Sequence, residues 1–343
     1  MRRFFHELYT DLLAFKSNGT SNLGETYLNQ YDCVSSHMVE EYAYLFYKHI
    51  GNGNVFKDKY VVVCSDDTFW VSVILLTIWL SGGKPIFANS NRIDGIIALP
   101  KDIKHVVATE KEFKEIEKNF SELRERSFKF FRVENLIDSL LDRDSGSENN
   151  ASHSHSLFHV AKTCDFNLWD ELTAEFKNEL KAKADSFFTI SQMTSGSTGQ
   201  PKMITRTLKK LLLEVQYLQD IIPNDIKATD TLNVATVPIF HAYGLMFRYF
   251  VPIVLGLNLY RDIIEYEEQF NLIAKLAENT DASRNAFKKF NKVWVVSNPG
   301  FFKRLGSSVV PFNTTLLQSA GGFLKQSVLN KALSFLKLLY LKF

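Results

Sequence analysis

Thr194-Ser195-Gly196-Ser197-Thr198-Gly199-Gln200-Pro201-Lys202 is the stretch on which the reading of this sequence turns. It packs four hydroxyl side chains, two glycines, one proline and one lysine into nine residues. Gly196 and Gly199 let the backbone take unusual dihedrals and approach a ligand closely. Backbone N–H groups of such a turn can converge on phosphate oxygens, and Thr194, Ser195, Ser197 and Thr198 add hydroxyl donors. Lys202 is a mobile point charge suited to outer phosphates, and Pro201 stiffens the exit. The common phosphate loop, G-x-x-x-x-G-K-[ST], does not fit. Gln200-Pro201 follow Gly199 and Met203 follows Lys202, so the lysine comes two positions late with no hydroxyl behind it. The alternative is a Ser/Gly linker that binds nothing. Linkers rarely separate a strand from an amphipathic helix, and that is where the pattern puts this segment. Phe187-Phe188-Thr189-Ile190 reads as a strand before it, and Leu208, Leu211, Leu212, Val215 and Leu218 recur at helical spacing after it.

Further out, short β-rich runs alternate with helical patterns. Tyr60 to Cys64 reads as a buried strand, and Asp66-Asp67-Thr68 offer N-caps for a helix from Phe69 to Ser81 that Gly82-Gly83 end. Pro85 to Ala88 and His105 to Ala108 read as further strands. Strand, helix, strand in that order implies crossovers and a parallel sheet. Downstream, Thr231 to Thr236 reads as a strand, followed by a helix from Tyr243 to Leu255 that Pro252 should kink or shorten. Glu265 to Glu278 reads as a helix, and Lys292 to Ser297 and Thr315 to Gln318 as strands. The fold class expected is α/β, with two mostly parallel sheets flanked by helices. The divisions expected are an N-terminal α/β subdomain over 1–141, a polar loop or linker over 142–156, and a nucleotide-binding α/β subdomain over 157–343. His153, His155 and His159 lie in or beside the polar loop. No carboxylate or cysteine has matching ligand spacing, so they read as solvated rather than metal-bound, and no metal ligand is assigned.

The chain has 343 residues, 45% of them apolar, which is ample for a large core. A net charge of +2 gives no reason to expect nucleic acid or an anionic membrane as partner. Cys33, Cys64 and Cys164 are widely spaced and odd in number, which argues against a disulfide framework and for a reducing cytoplasm. The most apolar run, Phe69 to Leu80, is short of the ~20 residues a membrane span needs and reads as a buried helix.

The nine-residue segment resembles the signature loop of the adenylate-forming superfamily: acyl-CoA synthetases, aryl-CoA ligases, luciferases and the adenylation domains of peptide synthetases. Val237-Pro238-Ile239-Phe240-His241-Ala242-Tyr243-Gly244-Leu245 resembles that family's P-x-F-H-x-Y-G stretch, and Ser319-Ala320-Gly321-Gly322-Phe323-Leu324 its S-G-[GA]-[GA]-P-L turn, with Phe323 in place of the usual proline. The resemblance implies a large N-terminal lobe that activates a small carboxylic acid, fatty or aryl, as an acyl-adenylate. ATP and Mg²⁺ would serve that step, and coenzyme A or a phosphopantetheine would accept the acyl group. It implies that Thr194, Ser195, Gly196, Ser197, Thr198, Gly199 and Lys202 hold phosphates and that Gly321 and Gly322 lie against adenine. His241 would face the substrate carboxylate, with Tyr243 and Gly244 in the acyl channel, so Lys202 and His241 are the catalytic candidates. His241 as a core histidine capping the following helix is the plainer alternative.

The family's Y-G-x-T-E motif, ribose aspartate and small C-terminal lobe are not found after Gly322. The apolar residues up to Phe343 read as a strand or helix lacking neighbours, or as a membrane-surface helix. This departure implies weak or no ATP–pyrophosphate exchange, and either a separately encoded C-terminal lobe or an inactive remnant that binds nucleotide or a protein partner such as an acyl carrier protein.

Overall fold

The computed structural model describes residues 1–9, 26–28, 33–50, 54–118, 123, 126–135, 167–194, 201–227, 230–271, 273–274, 290, 292–304, 316–322, 325–330 and 340–342. Residues 195–200 of the glycine-rich loop, the polar stretch 142–156, His159 and Phe323-Leu324 lie outside the described residues. The described strands are β1 Thr26–Leu28, β2 Cys33–Ser35, β3 Tyr60–Cys64, β4 Lys84–Phe87, β5 His105–Ala108, β6 Lys129–Arg132 and β7 Thr189–Thr194. They continue with β8 Lys202–Thr207, β9 Thr231–Ala235, β10 Asn258–Tyr260, β11 Lys292–Ser297, β12 Leu316–Ser319 and β13 Tyr340–Lys342. The chain divides into two compact units. The first holds Met1, Arg3–Ala14 and Ser35–Leu211, and the second holds Arg2, Phe15–Val34 and Leu212–Phe343.

The first unit is built on a six-stranded sheet in the order β6-β5-β3-β4-β7-β8. Its pairs are parallel except the last, β7 with β8. The helix Thr68–Leu80 carries β3 over to β4. Asp67 caps it by accepting from the Phe69 and Trp70 amides, and all thirteen of its residues are buried. Two of its hydroxyls bond back within the helix: the Ser72 hydroxyl donates to Thr68 O at 2.9 Å and Thr77 to Val73 O at 2.8 Å. Gly82 ends it at φ +70, where a side chain would be strained. The buried-helix reading therefore holds, and among the described residues no helix is long and apolar enough to cross a membrane.

One expectation needs correction. The glycine-rich loop does not run from strand to helix. It joins two antiparallel strands, β7 and β8, paired from Thr189↔Thr207 to Thr194↔Lys202. The residues after the loop, Lys202-Met203-Ile204-Thr205-Arg206-Thr207, include β-branched side chains that suit a pleated edge. Thr205 shares a 2.8 Å hydrogen bond with Ser191, and Arg206 donates to the Gln192 side chain at 3.2 Å. The amphipathic helix, Leu208–Gln219, starts only after β8.

The second unit has a seven-stranded sheet in the order β13-β12-β11-β9-β10-β1-β2. The pairs joining β13 through to β1 are all parallel. One face is sealed by a core of Leu232, Val234, Val293, Val295 and Leu317 with Phe270, Phe301 and Phe302. The segment expected as a helix kinked or shortened by Pro252 is instead continuous: Ala242–Gly244, a π-helix Leu245–Phe250, then Val251–Leu255. The wider winding upstream accommodates a ring that would clash with the carbonyl four residues back. The helix expected from Glu265 begins as a tighter turn, Glu267–Gln269, and the part beyond Ala274 lies outside the described residues. Tyr340–Lys342 pair in parallel with Leu316–Gln318, so these last residues are sheet and not a membrane-surface helix.

Candidate functional site

In an open parallel sheet, ligands bind outside the carboxyl ends of the strands, where successive connections leave in opposite directions. In the second unit that switch point is defined by strand order: β9 is followed by β10 on one side and by β11 on the other. The residues there are Thr236 and Ser297. The Thr236 amide donates to Val296 O at 2.9 Å, and the two hydroxyls share a 2.6 Å hydrogen bond that either can donate. Ser319 ends β12 directly opposite Ser297. The Ala320 amide then donates to Ser297 O at 3.4 Å and leads into Gly321 and Gly322. Gly321 sits at φ +91, which favours glycine, and both glycines are exposed with open space where a side chain would stand. The Ser319 hydroxyl is buried with no hydrogen-bond partner among the described residues. A buried unpaired hydroxyl beside an open glycine turn suits a hydrogen-bonding ligand such as a nucleoside.

The segment after β9 supplies the next group. His241 is the last residue before the turn Ala242–Gly244; its side chain is exposed and makes no cap hydrogen bond. It is therefore neither a core residue nor a cap, as the plainer alternative required. The Arg248 guanidinium, itself buried, holds the loops on either side by donating to Val237 O at 3.4 Å and Arg261 O at 3.0 Å. Gly244 is buried, and a Cβ there would overlap the Pro238 carbonyl, so glycine is needed for the chain to close on itself. Tyr243 stacks at a tilt on Phe247, 5.2 Å between ring centroids, and Phe247 meets Trp294 edge-on at 6.4 Å. These rings lie on the sheet face away from the Val293 and Val295 core. The Asn233 side chain fixes their helix by donating to Phe247 O at 3.3 Å.

In the first unit, Thr194 and Lys202 form the closing pair of the β7–β8 hairpin. The Thr194 hydroxyl donates to Lys202 O at 3.2 Å, and the Lys202 side chain is exposed. Ser195, Gly196, Ser197, Thr198 and Gly199 lie outside the described residues. This sheet has a second switch point, between β3 and β5, that the sequence did not reveal. Glu112 is buried there, accepts the Asp66 amide at 3.3 Å, and is pushed up to about 8 by burial and then by the Asp66 charge. Glu134 accepts the Glu110 amide at 2.9 Å and is pushed up to about 7 by burial. Among the described residues, no three His, Cys, Asp or Glu side chains are grouped to hold a metal ion.

Of the residues singled out by sequence, Gly321 and Gly322 follow the end of β12, while His241, Tyr243 and Gly244 lie on the connection that follows β9 in the same unit. Sequence reading missed Thr236, Ser297 and Ser319. Each looks like an ordinary strand-end hydroxyl until the strand order shows that they are neighbours.

A search of curated proteins by sequence found no match. Solved structures match in fold. VinN matches at TM-score 0.62 and 13% identity over 97% of this chain and 73% of its own. A benzoate CoA ligase from Burkholderia xenovorans matches at 0.61 and 13% identity over 99% and 60%. McyG A-PCP complexed with phenylalanyl-adenylate matches at 0.59 and 13% identity over 92% and 45%. The chain thus spans only part of the length of these proteins. A family model described as AMP-binding enzyme matches residues 56–273, well over half of the sequence, and takes in the glycine-rich loop, the β9 end and His241. The chain belongs to the AMP-binding enzyme family.

Proposed function

We propose that this chain binds ATP and a carboxylic acid and joins them as an acyl-adenylate, for later transfer to a thiol. The observation that carries this reading is the switch point of the second unit. There Thr236, Ser297, the unpaired Ser319 hydroxyl and the open Gly321-Gly322 turn meet at the ends of three adjacent parallel strands. The Gly321-Gly322 side takes the adenosine, and His241 takes the substrate carboxylate. Ser195, Gly196, Ser197, Thr198 and Gly199, with Thr194 and Lys202 at the hairpin's mouth, hold the outgoing pyrophosphate.

The physical task is to bring an anionic nucleophile up to a polyanion, and fixed donors and a mobile lysine lower that repulsion. Mg²⁺ would add charge neutralisation when bound. It needs few protein carboxylates when phosphates are present. The acceptor is coenzyme A or the phosphopantetheine of an acyl carrier protein.

A non-hydrolysable acyl-adenylate mimic, an acyl-sulfamoyl adenosine, tests the reading. It should raise the Tm of the purified chain and bind more tightly than AMP or the acid alone. Equal, negligible effects of all three would overturn it.

A further inference from the structure

The row of rings behind His241 carries two buried donors that nothing in the fold uses. The Tyr243 hydroxyl and the Trp294 indole Nε1 are both buried, and neither has a hydrogen-bond partner among the described residues. Buried phenols and indoles ordinarily find a partner, because an unmade bond there leaves the donor's lost hydration uncompensated. The two rings that carry these groups both pack against Phe247. Tyr243 comes two residues after His241, on the connection that follows β9. Trp294 lies three residues before Ser297 on β11 and so about 10 Å back from the strand end at about 3.3 Å per residue. The two donors thus sit on the connection after β9 and within β11, the strand paired with β9.

We infer that Tyr243 and Trp294 select acids whose tail carries a hydrogen-bond-accepting oxygen, such as a ketone, ether or hydroxyl, over plain hydrocarbon acids of the same shape. The selection follows from what each tail does to the two donors. A hydrocarbon tail covers them and leaves them unpaired, whereas an oxygenated tail pairs them and loses little on leaving water. Burial also pushes the Tyr243 phenol well above its ordinary range, so it stays a neutral donor. This inference rests on the acid-activating reading above and adds the class of acid.

Two shape-matched pairs test it by isothermal titration of the full chain in saturating AMP: 4-acetylbenzoate with 4-isopropylbenzoate, and 6-oxoheptanoate with 6-methylheptanoate. The oxygenated member of at least one pair should bind about tenfold more tightly, and Tyr243→Phe or Trp294→Phe should bring that ratio close to one. Equal binding within both pairs, or a ratio unchanged in both variants, overturns the inference and leaves the acid-activating reading standing. If none of the four acids binds while AMP does, both fall.

Thermal melting of the ligand-free chain gives an independent readout. Tyr243→Phe should melt no lower than the parent, because it removes a hydroxyl that the fold leaves unpaired. A drop of several degrees would mean that the hydroxyl is already bonded within the fold, and would overturn the assignment.

Discussion

The hydroxyls of Thr236 and Ser297 lie 2.6 Å apart and join the carboxyl ends of two neighbouring parallel strands, β9 and β11. Both residues are buried, so each hydroxyl depends on the other. Thr236→Val keeps the shape and leaves the Ser297 hydroxyl alone. We expect a loss of about 1–2 kcal/mol in urea denaturation and a several-fold weaker AMP titration. Unchanged AMP affinity would separate this pair from the nucleotide site.

Lys202 is exposed at the mouth of the hairpin, where a charge does little for stability. Lys202→Ala should leave the melting temperature within about a degree. It should weaken ATP about tenfold or more while changing AMP binding little, because only ATP presents outer phosphates. An equal loss for both nucleotides would mean that the lysine does not reach those phosphates.

Gly244 is buried where any side chain would meet the Pro238 carbonyl. Relieving that overlap means moving backbone, so Gly244→Ala should cost about 3 kcal/mol or more. The loss should appear in thermal denaturation of the free protein, before any ligand is added. Normal stability with only acid binding impaired would instead give Gly244 a purely channel-lining role.

Glu112 binds its proton more tightly folded than unfolded, with a folded value of about 8 against an ordinary 4.5, through burial and then Asp66, with Lys111 opposing. The folded chain therefore holds a proton that the unfolded chain releases between those values. The contribution of Glu112 to stability is fully present below about pH 4.5 and is lost as pH rises to about 8. Glu134 adds a change of the same sign up to about 7. Melting scans from pH 5 to 8 should show the parent falling more steeply than Glu112→Gln, which carries no titrating proton. Parallel curves would show Glu112 to be ionised throughout.

The elements most legible in the sequence were those fixed by local chemistry. The Asp67 cap, the apolar run after it and the Gly82 stop together mark out Thr68–Leu80 to within a residue. β3, β5, β9 and β11 were visible as short β-rich runs. What the sequence hid depends on partners far along the chain. Lys202–Thr207 becomes a strand because β7 offers it a register, and its β-branched Ile204, Thr205 and Thr207 favour that pairing only weakly by themselves. Thr236, Ser297 and Ser319 meet only because β9, β11 and β12 lie side by side. The carboxyl of Glu112 looks like one charge among several in Lys111-Glu112-Phe113-Lys114 until burial picks it out.

The helix Thr68–Leu80, buried on every side, has a consequence for how the protein is made. At about 1.5 Å per residue it is roughly 20 Å long, short of the ~30 Å of a bilayer's hydrocarbon, yet as apolar as a membrane segment. On the ribosome it emerges after Ser36–His49 and β3, which pack on it, but before β4 and the Thr189 carbonyl of β7 that accepts from the Trp79 indole. A nascent chain at that stage presents a greasy rod to solvent, a natural substrate for chaperones and a seed for aggregation if synthesis stalls. Yield on overexpression should therefore depend on translation speed through the codons for residues 81–194 more than on the stability of the finished fold.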